Sequence, residues 1–127
     1  IPRAPGEYAV TRSRGGMFVV DGKVQGQTVR FLFDTGASSV VLTAEDAKRA
    51  GIAPGAADFT VKTQTANGIA MAAPVMLDSV TAGGITLTRV RALVSRPGAL
   101  NRSLLGHDFL DRLGSYEVRG DQLILRQ

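Results

Sequence analysis

Arg30-Phe31-Leu32-Phe33-Asp34-Thr35-Gly36-Ala37-Ser38-Ser39-Val40-Val41-Leu42 is the stretch around which this chain is organised. Phe31, Leu32 and Phe33 form a continuous apolar triplet, the pattern of a strand buried on both faces. The strand runs directly into Asp34. A carboxylate at the end of such a strand is costly to bury unless it is hydrogen-bonded or shares a proton. Thr35 adds a hydroxyl, and Gly36 admits a sharp turn and close neighbours. A second apolar run, Val40 to Leu42, follows. Taken alone, Asp-Thr-Gly also fits an ordinary polar turn between two strands, because Asp, Gly and Ser are common turn residues.

The segment upstream explains how Asp34 is delivered. Val24-Gln25-Gly26-Gln27-Thr28-Val29 reads as a hairpin with its turn at Gln25 to Gln27. Its second strand continues into Phe33, so Asp34 is presented by a sheet. Before it, Met17 to Val20 is apolar and β-prone, and Asp21-Gly22 follows. Downstream, Thr43-Ala44-Glu45-Asp46 is a helix start, with Thr43 as cap and Asp46 placed to reach back. Gly51 closes that helix.

Phe59 to Met71 carries Asn67-Gly68, a strong hairpin signal. The flanking strands are light, with Thr63, Thr65, Ala66, Ala70, Ala72 and Ala73. Such a hairpin is either exposed surface or a mobile flap, stiff in its strands and small at its tip, able to lie over an extended ligand. Further on, Val75 to Leu87 reads as strand, turn, strand, and Val90 to Val94 as another strand. Leu104-Leu105-Gly106 leads into a short helix, and Tyr116 to Leu125 forms a last hairpin. Val20-Asp21-Gly22 up to the first helix is echoed by Leu77-Asp78-Ser79 up to the second. The echo suggests two similar halves about a local two-fold axis and is too irregular for a solenoid.

Composition bounds the function. The chain has 127 residues, enough for one domain with a modest core. There is no Cys and one His, which excludes thiolate chemistry, argues against structural zinc, and leaves only His107 for a histidine triad. No cofactor and no metal are expected. The net charge is +4, and twelve of the fifteen basic residues are Arg. They are scattered singly, without interleaved aromatics, so no nucleic-acid partner is expected. No apolar run approaches the roughly 20 residues that span a bilayer. The first residue is Ile1 and not Met, so a processed or truncated piece is expected.

Asp34-Thr35-Gly36-Ala37, the hairpin tipped by Asn67-Gly68, and Leu104-Leu105-Gly106 before a short helix occur in one order. Together, from about Gly16 to Leu125, they resemble the bacterial branch of the retropepsin-like aspartic proteases. The resemblance implies an all-β fold: a closed β-barrel, one lobe of the acid protease fold, with one or two short helices. It implies a protease domain over residues 16–127, with residues 1–15 as flexible leader and first strand. It implies Asp34 as the catalytic residue, Thr35, Gly36 and Ala37 as the active-site loop, and Ala66, Asn67, Gly68 and Ile69 as the flap. Leu104, Leu105 and Gly106 become the structural loop near the site.

A single Asp-Thr-Gly per chain implies a homodimer in which two Asp34 carboxylates meet and activate a water. The substrate would be a polypeptide bound as an extended strand. Family members often sit at the cell envelope, so a periplasmic or envelope location with a membrane anchor outside this chain is expected. Viral members commonly place Arg after the helix-start Gly, paired with an Asp beyond the Asp-Thr-Gly-Ala turn. Here those places hold His107-Asp108 and Ser38-Ser39, so that ion pair is not expected, and His107 reads as a helix-surface or interface residue. The apolar Leu123-Ile124-Leu125 is expected to supply strand pairing across the dimer instead. The alternative is a non-catalytic peptide-binding or dimerisation module on the same fold. The intact Asp34-Thr35-Gly36 argues against it, since pure binding needs no costly carboxylate pair.

Overall fold

The computed structural model describes residues 5–65 and 68–127. Among the described residues there are ten strands: β1 Glu7–Thr11, β2 Val19–Val24, β3 Gln27–Phe33, β4 Val40–Leu42, β5 Val61–Thr65, β6 Gly68–Ala82, β7 Ile85–Ser95, β8 Ser103–Leu105, β9 Ser115–Arg119 and β10 Gln122–Arg126. Two short helices follow β4 and β8, α1 at Ala44–Arg49 and α2 at His107–Leu110. A 3-10 turn at Ala56–Asp58 lies between α1 and β5.

Strands pair in the order β2, β3, β8, β4, β7, β6, and β6 returns to β2, closing a barrel; β5 extends the sheet beyond β6. The barrel is filled by Val20, Val24, Phe31, Leu42, Leu77, Val80, Ile85, Val90, Leu105 and Phe109, all fully or almost fully buried. Only Phe31 of the apolar triplet is fully buried. Leu32 and Phe33 are half-buried, and Phe33 packs edge-on against Phe18 and Tyr116. The expected burial on both faces therefore holds for one residue of three.

The β2–β3 turn, Gln25-Gly26, has φ of 49° and 85°. Positive φ at both central residues is the hairpin geometry that matches strand twist. Asp21-Gly22 lies inside β2, where β6 closes the barrel with Gly22 opposite Ala82. A Cβ on Gly22 would stand 2.0 Å from the Thr81 carbonyl oxygen, so the glycine provides space and not a bend.

Thr43 caps α1, its Oγ1 accepting from Asp46 N–H at 3.1 Å. Asp46 does not reach back to Thr43. Its carboxylate takes the Ser103 hydroxyl and Arg49, and Ser103 Oγ accepts from Thr43 N–H at 3.0 Å. The start of α1 is thus fastened to β8.

The internal echo is visible in the pairing. β3 of the first half runs parallel to β8 of the second, and β7 of the second runs parallel to β4 of the first. Each half ends in a short helix.

A second sheet orders β1, β10 and β9. Arg126 ties it together, bonding Glu7 at 2.9 Å and Glu117 at 2.8 Å. The Arg126 hydrogen bond holds the Glu117 carboxyl below its ordinary range. β10 lies in the middle, and Leu123, Ile124 and Leu125 are buried within the chain. Both edges of β10 are occupied, so it offers none for pairing across a dimer; the outer strands of this sheet are β1 and β9.

Gly22→Ala is expected to cost about 1–3 kcal/mol, the usual penalty of overpacking. Thermal unfolding followed by circular dichroism checks this. An unchanged Tm would show that β2 and β6 have room to spare.

Candidate active site

The loop from Asp34 to Ser39 joins two strands that do not pair with each other. β8 lies between them, parallel to β3 with Phe33 opposite Leu105, and bonded to β4 through Val41 and Leu104. The loop therefore crosses over the end of β8. Its crossing point is Gly106. A Cβ there would lie 2.2 Å from the Ser39 carbonyl oxygen and 2.5 Å from that of Ala37. Gly106 itself has extended backbone, φ −103° and ψ −164°, so space is again what demands glycine.

Main-chain bonds lock the crossing. Asp34 N–H donates to Leu105 O at 3.2 Å and Ala37 N–H to Asp34 O at 3.2 Å. His107 N–H donates to Ala37 O, and Asp108 N–H to Ser38 O, each at 3.0 Å. The Asp34 carboxylate is half-buried and its Oδ1 accepts from Gly36 N–H at 2.9 Å. A Cβ on Gly36 would sit 3.2 Å from that same oxygen, crowding it. Thr35, at the apex, is exposed.

The carboxylate opens into a groove of about 530 Å³. Its floor is the Asp34 loop and its far side is formed by β5, with Val61, Lys62, Thr63 and Gln64. Among the described residues lining it, Asp34 is the only carboxylate. A larger hollow, about 910 Å³, lies beside β1. It is open, and none of the Asp34 loop lines it.

The expected site residues fall in two sets. Asp34, Gly36, Ala37 and Leu104 line the groove. Leu105 and Gly106 are buried behind the loop and position it. In the hairpin, β5 and β6 pair up to Thr65 opposite Gly68, whose φ is +108°, and Ile69 is 70% exposed. Ala66 and Asn67 lie outside the described residues. The apolar wall, with Val41, Leu93 and Leu100, escapes sequence reading because it assembles from separate elements.

His107 also escapes it. His107 Nε2 stands 2.7 Å from Thr35 O and Nδ1 2.8 Å from Asp111 Oδ1. The Asp111 hydrogen bond, then the Thr35 carbonyl, raises the His107 pKa above its ordinary value.

The family described as gag-polyprotein putative aspartyl protease matches residues 20–112. The chain belongs to the retropepsin-like aspartic protease family. A retropepsin-like aspartic protease from Rickettsia conorii superposes with a TM-score of 0.83 at 36% identity, over 94% of this chain and 89% of that one. EIAV protease, in complex with an inhibitor, superposes with a TM-score of 0.67 over 87% of this chain and 100% of that one; at 21% identity it speaks for the fold alone. Uncharacterized proteins of Sinorhizobium sp. and Rickettsia prowazekii are 42% and 37% identical over 94% of the chain. The chain spans about half the length of these curated relatives, 52% and 51%. The retropepsin-like barrel explains the crossing loop, since the barrel brings β8 between β3 and β4.

Gly106→Ala is expected to push the loop off β8 and lower stability by about 1–3 kcal/mol. Hydrogen exchange at the His107 and Asp108 amides is the sensitive readout. Both should exchange faster, and full protection of both would show that the crossing tolerates a methyl group.

Proposed function

We propose that this chain is an aspartic endopeptidase that works as a homodimer. The observation that best supports the reading is the Asp34 carboxylate, half-buried, held by the Gly36 amide, and the sole acid among the described residues that line a groove flanked by β5. Peptide hydrolysis needs a base for the water and an acid for the scissile carbonyl. One carboxylate cannot hold both roles at once. Two copies of Asp34 meeting across a two-fold axis supply both.

Two carboxylates in contact share one proton and titrate as a pair, as aspartic protease dyads do. The ionised member takes a proton from the bound water, and the oxygen attacks the carbonyl carbon. The protonated member donates to the carbonyl oxygen. The carboxylate that took the water proton then gives it to the amide nitrogen, the C–N bond breaks, and the other carboxylate takes a hydroxyl proton back as the carbonyl re-forms. Thr35 is exposed at the loop apex, and on this reading it meets its counterpart across the axis. The β5–β6 hairpin, with Gly68 and Ile69, serves as the flap, and an extended substrate lies between it and the Asp34 loop.

Asp34→Asn should lower kcat/KM at least on the order of 10²–10⁴-fold while circular dichroism and Tm stay unchanged. A peptide pool incubated at several pH values provides the assay. Cleavage by the variant at the parent's rate would refute the assignment. The parent should favour mildly acid pH, because the pair must hold one proton.

Assembly gives a separate test. Specific activity per chain should rise with protein concentration as monomers associate. Sedimentation run alongside the assay decides it. Full activity in a solution holding monomers alone would exclude a shared site.

A further inference from the structure

His107 is the first residue of α2, and both of its ring nitrogens face oxygen acceptors. The Thr35 carbonyl oxygen can only accept, and so can the ionised Asp111 carboxylate. An imidazolium donates to both. A neutral imidazole has one N–H and can serve only one of them. The charged acceptor is the stronger, so Asp111 draws that proton to Nδ1. Nε2 then turns a lone pair on the Thr35 oxygen, and the contact to the loop is the one that is lost.

That contact bears directly on Asp34. Thr35 C=O and Gly36 N–H belong to one planar peptide unit. Its carbonyl is held by His107 at 2.7 Å, and its N–H holds Asp34 Oδ1 at 2.9 Å. Turning this peptide to relieve one end moves the donor at the other.

We propose that His107 is a positioning residue whose imidazolium clamps the Thr35–Gly36 peptide, and through it the Asp34 carboxylate, and which releases that peptide when it loses its proton. As a statement about catalysis, this rests on the reading of Asp34 as the catalytic acid. The direction with pH follows from the raised pKa. The clamp is complete below the ordinary value near 6.5 and is lost as pH rises through the higher folded value. Asp108 on the same helix, Asp34 on the loop, and Arg89 and Arg91 on β7 are the other ionisable groups of the elements packed around α2. β4 and β8 carry none. Arg112 is turned away, its guanidinium donating to Thr88 O and Arg89 O. Asp111 is the carboxylate that bears on His107.

The test uses amide and imidazole NMR shifts across pH in the Asp34→Asn chain. That substitution removes the loop's own carboxylate titration but keeps an oxygen acceptor for Gly36. The Thr35 and Gly36 amides should titrate with the His107 ring, at a midpoint above its ordinary value. Asp111→Asn should lower that midpoint, and His107→Gln should abolish the amide titration. In the Asp34-containing chain, His107→Ala should reduce kcat/KM at acid pH on the order of tenfold, about one hydrogen bond to a charged group. His107→Arg, a donor at every pH, should restore it. Loop amides that stay flat while His107 titrates, or a midpoint unmoved by Asp111→Asn, would overturn the clamp. A parent chain that cleaves no peptide would sink the protease reading, and the amide titration would still decide the clamp.

Discussion

Close backbone contact at Gly106 is the constraint on which the rest of the site depends. The loop that carries Asp34 must pass over the end of β8, and there is room for it only because Gly106 has no side chain. Once the loop lies there, its carbonyls meet the opening amides of α2. The first amides of a helix have no partner within it. Here Ala37 O and Ser38 O accept from His107 and Asp108, so the loop caps the helix and the helix fixes the loop. No side chain caps α2. Each structure completes the hydrogen bonding of the other, and neither could move without exposing unpaired groups.

The same architecture equips the two halves of the barrel differently. The two halves of the barrel exchange strands in matching fashion, β3 with β8 and β7 with β4. The first half supplies Asp34 at its strand end. The second supplies Gly106, a spacer without a carboxylate. The helices differ accordingly. α1 is tied to β8 by side chains, through Thr43, Asp46 and Ser103, whereas α2 is tied to the Asp34 loop by main chain. One half has become the support and the other carries the acid.

Much of this was legible in the sequence where the physics is local. An apolar strand ending in Asp-Thr-Gly, a turn at Gln25-Gly26, a helix opening at Thr43 and a hairpin around Gly68 each rest on neighbours in the chain. Distant contacts were not legible. Asp21-Gly22 carries the composition of a turn, but Gly22 answers to the Thr81 carbonyl some sixty residues later. Leu123, Ile124 and Leu125 look like an interface strand because they are apolar and terminal. Their burial depends on β1 and β9 closing over both edges of β10. His107 bonds a carbonyl 72 positions away, and a backbone acceptor leaves no mark on composition. The signal that could have found it is a histidine four residues before Asp111, next to the glycine on which the loop must rest.

A histidine makes the loop depend on something an arginine would not. A guanidinium stays charged across the whole working range, so a loop held by it is insensitive to pH. An imidazolium does not. A carboxylate pair that shares a proton also loses competence as pH rises. On the reading proposed here, the chemistry and the support that orients it fail in the same direction. The Thr35–Gly36 peptide is where they meet, with a proton-dependent contact on its carbonyl and the carboxylate on its N–H. A site built this way is assembled most fully under the conditions in which its acid is protonated, and the loop loosens as that acid is spent. Coupling of this kind needs no moving domain, because a single peptide unit transmits it.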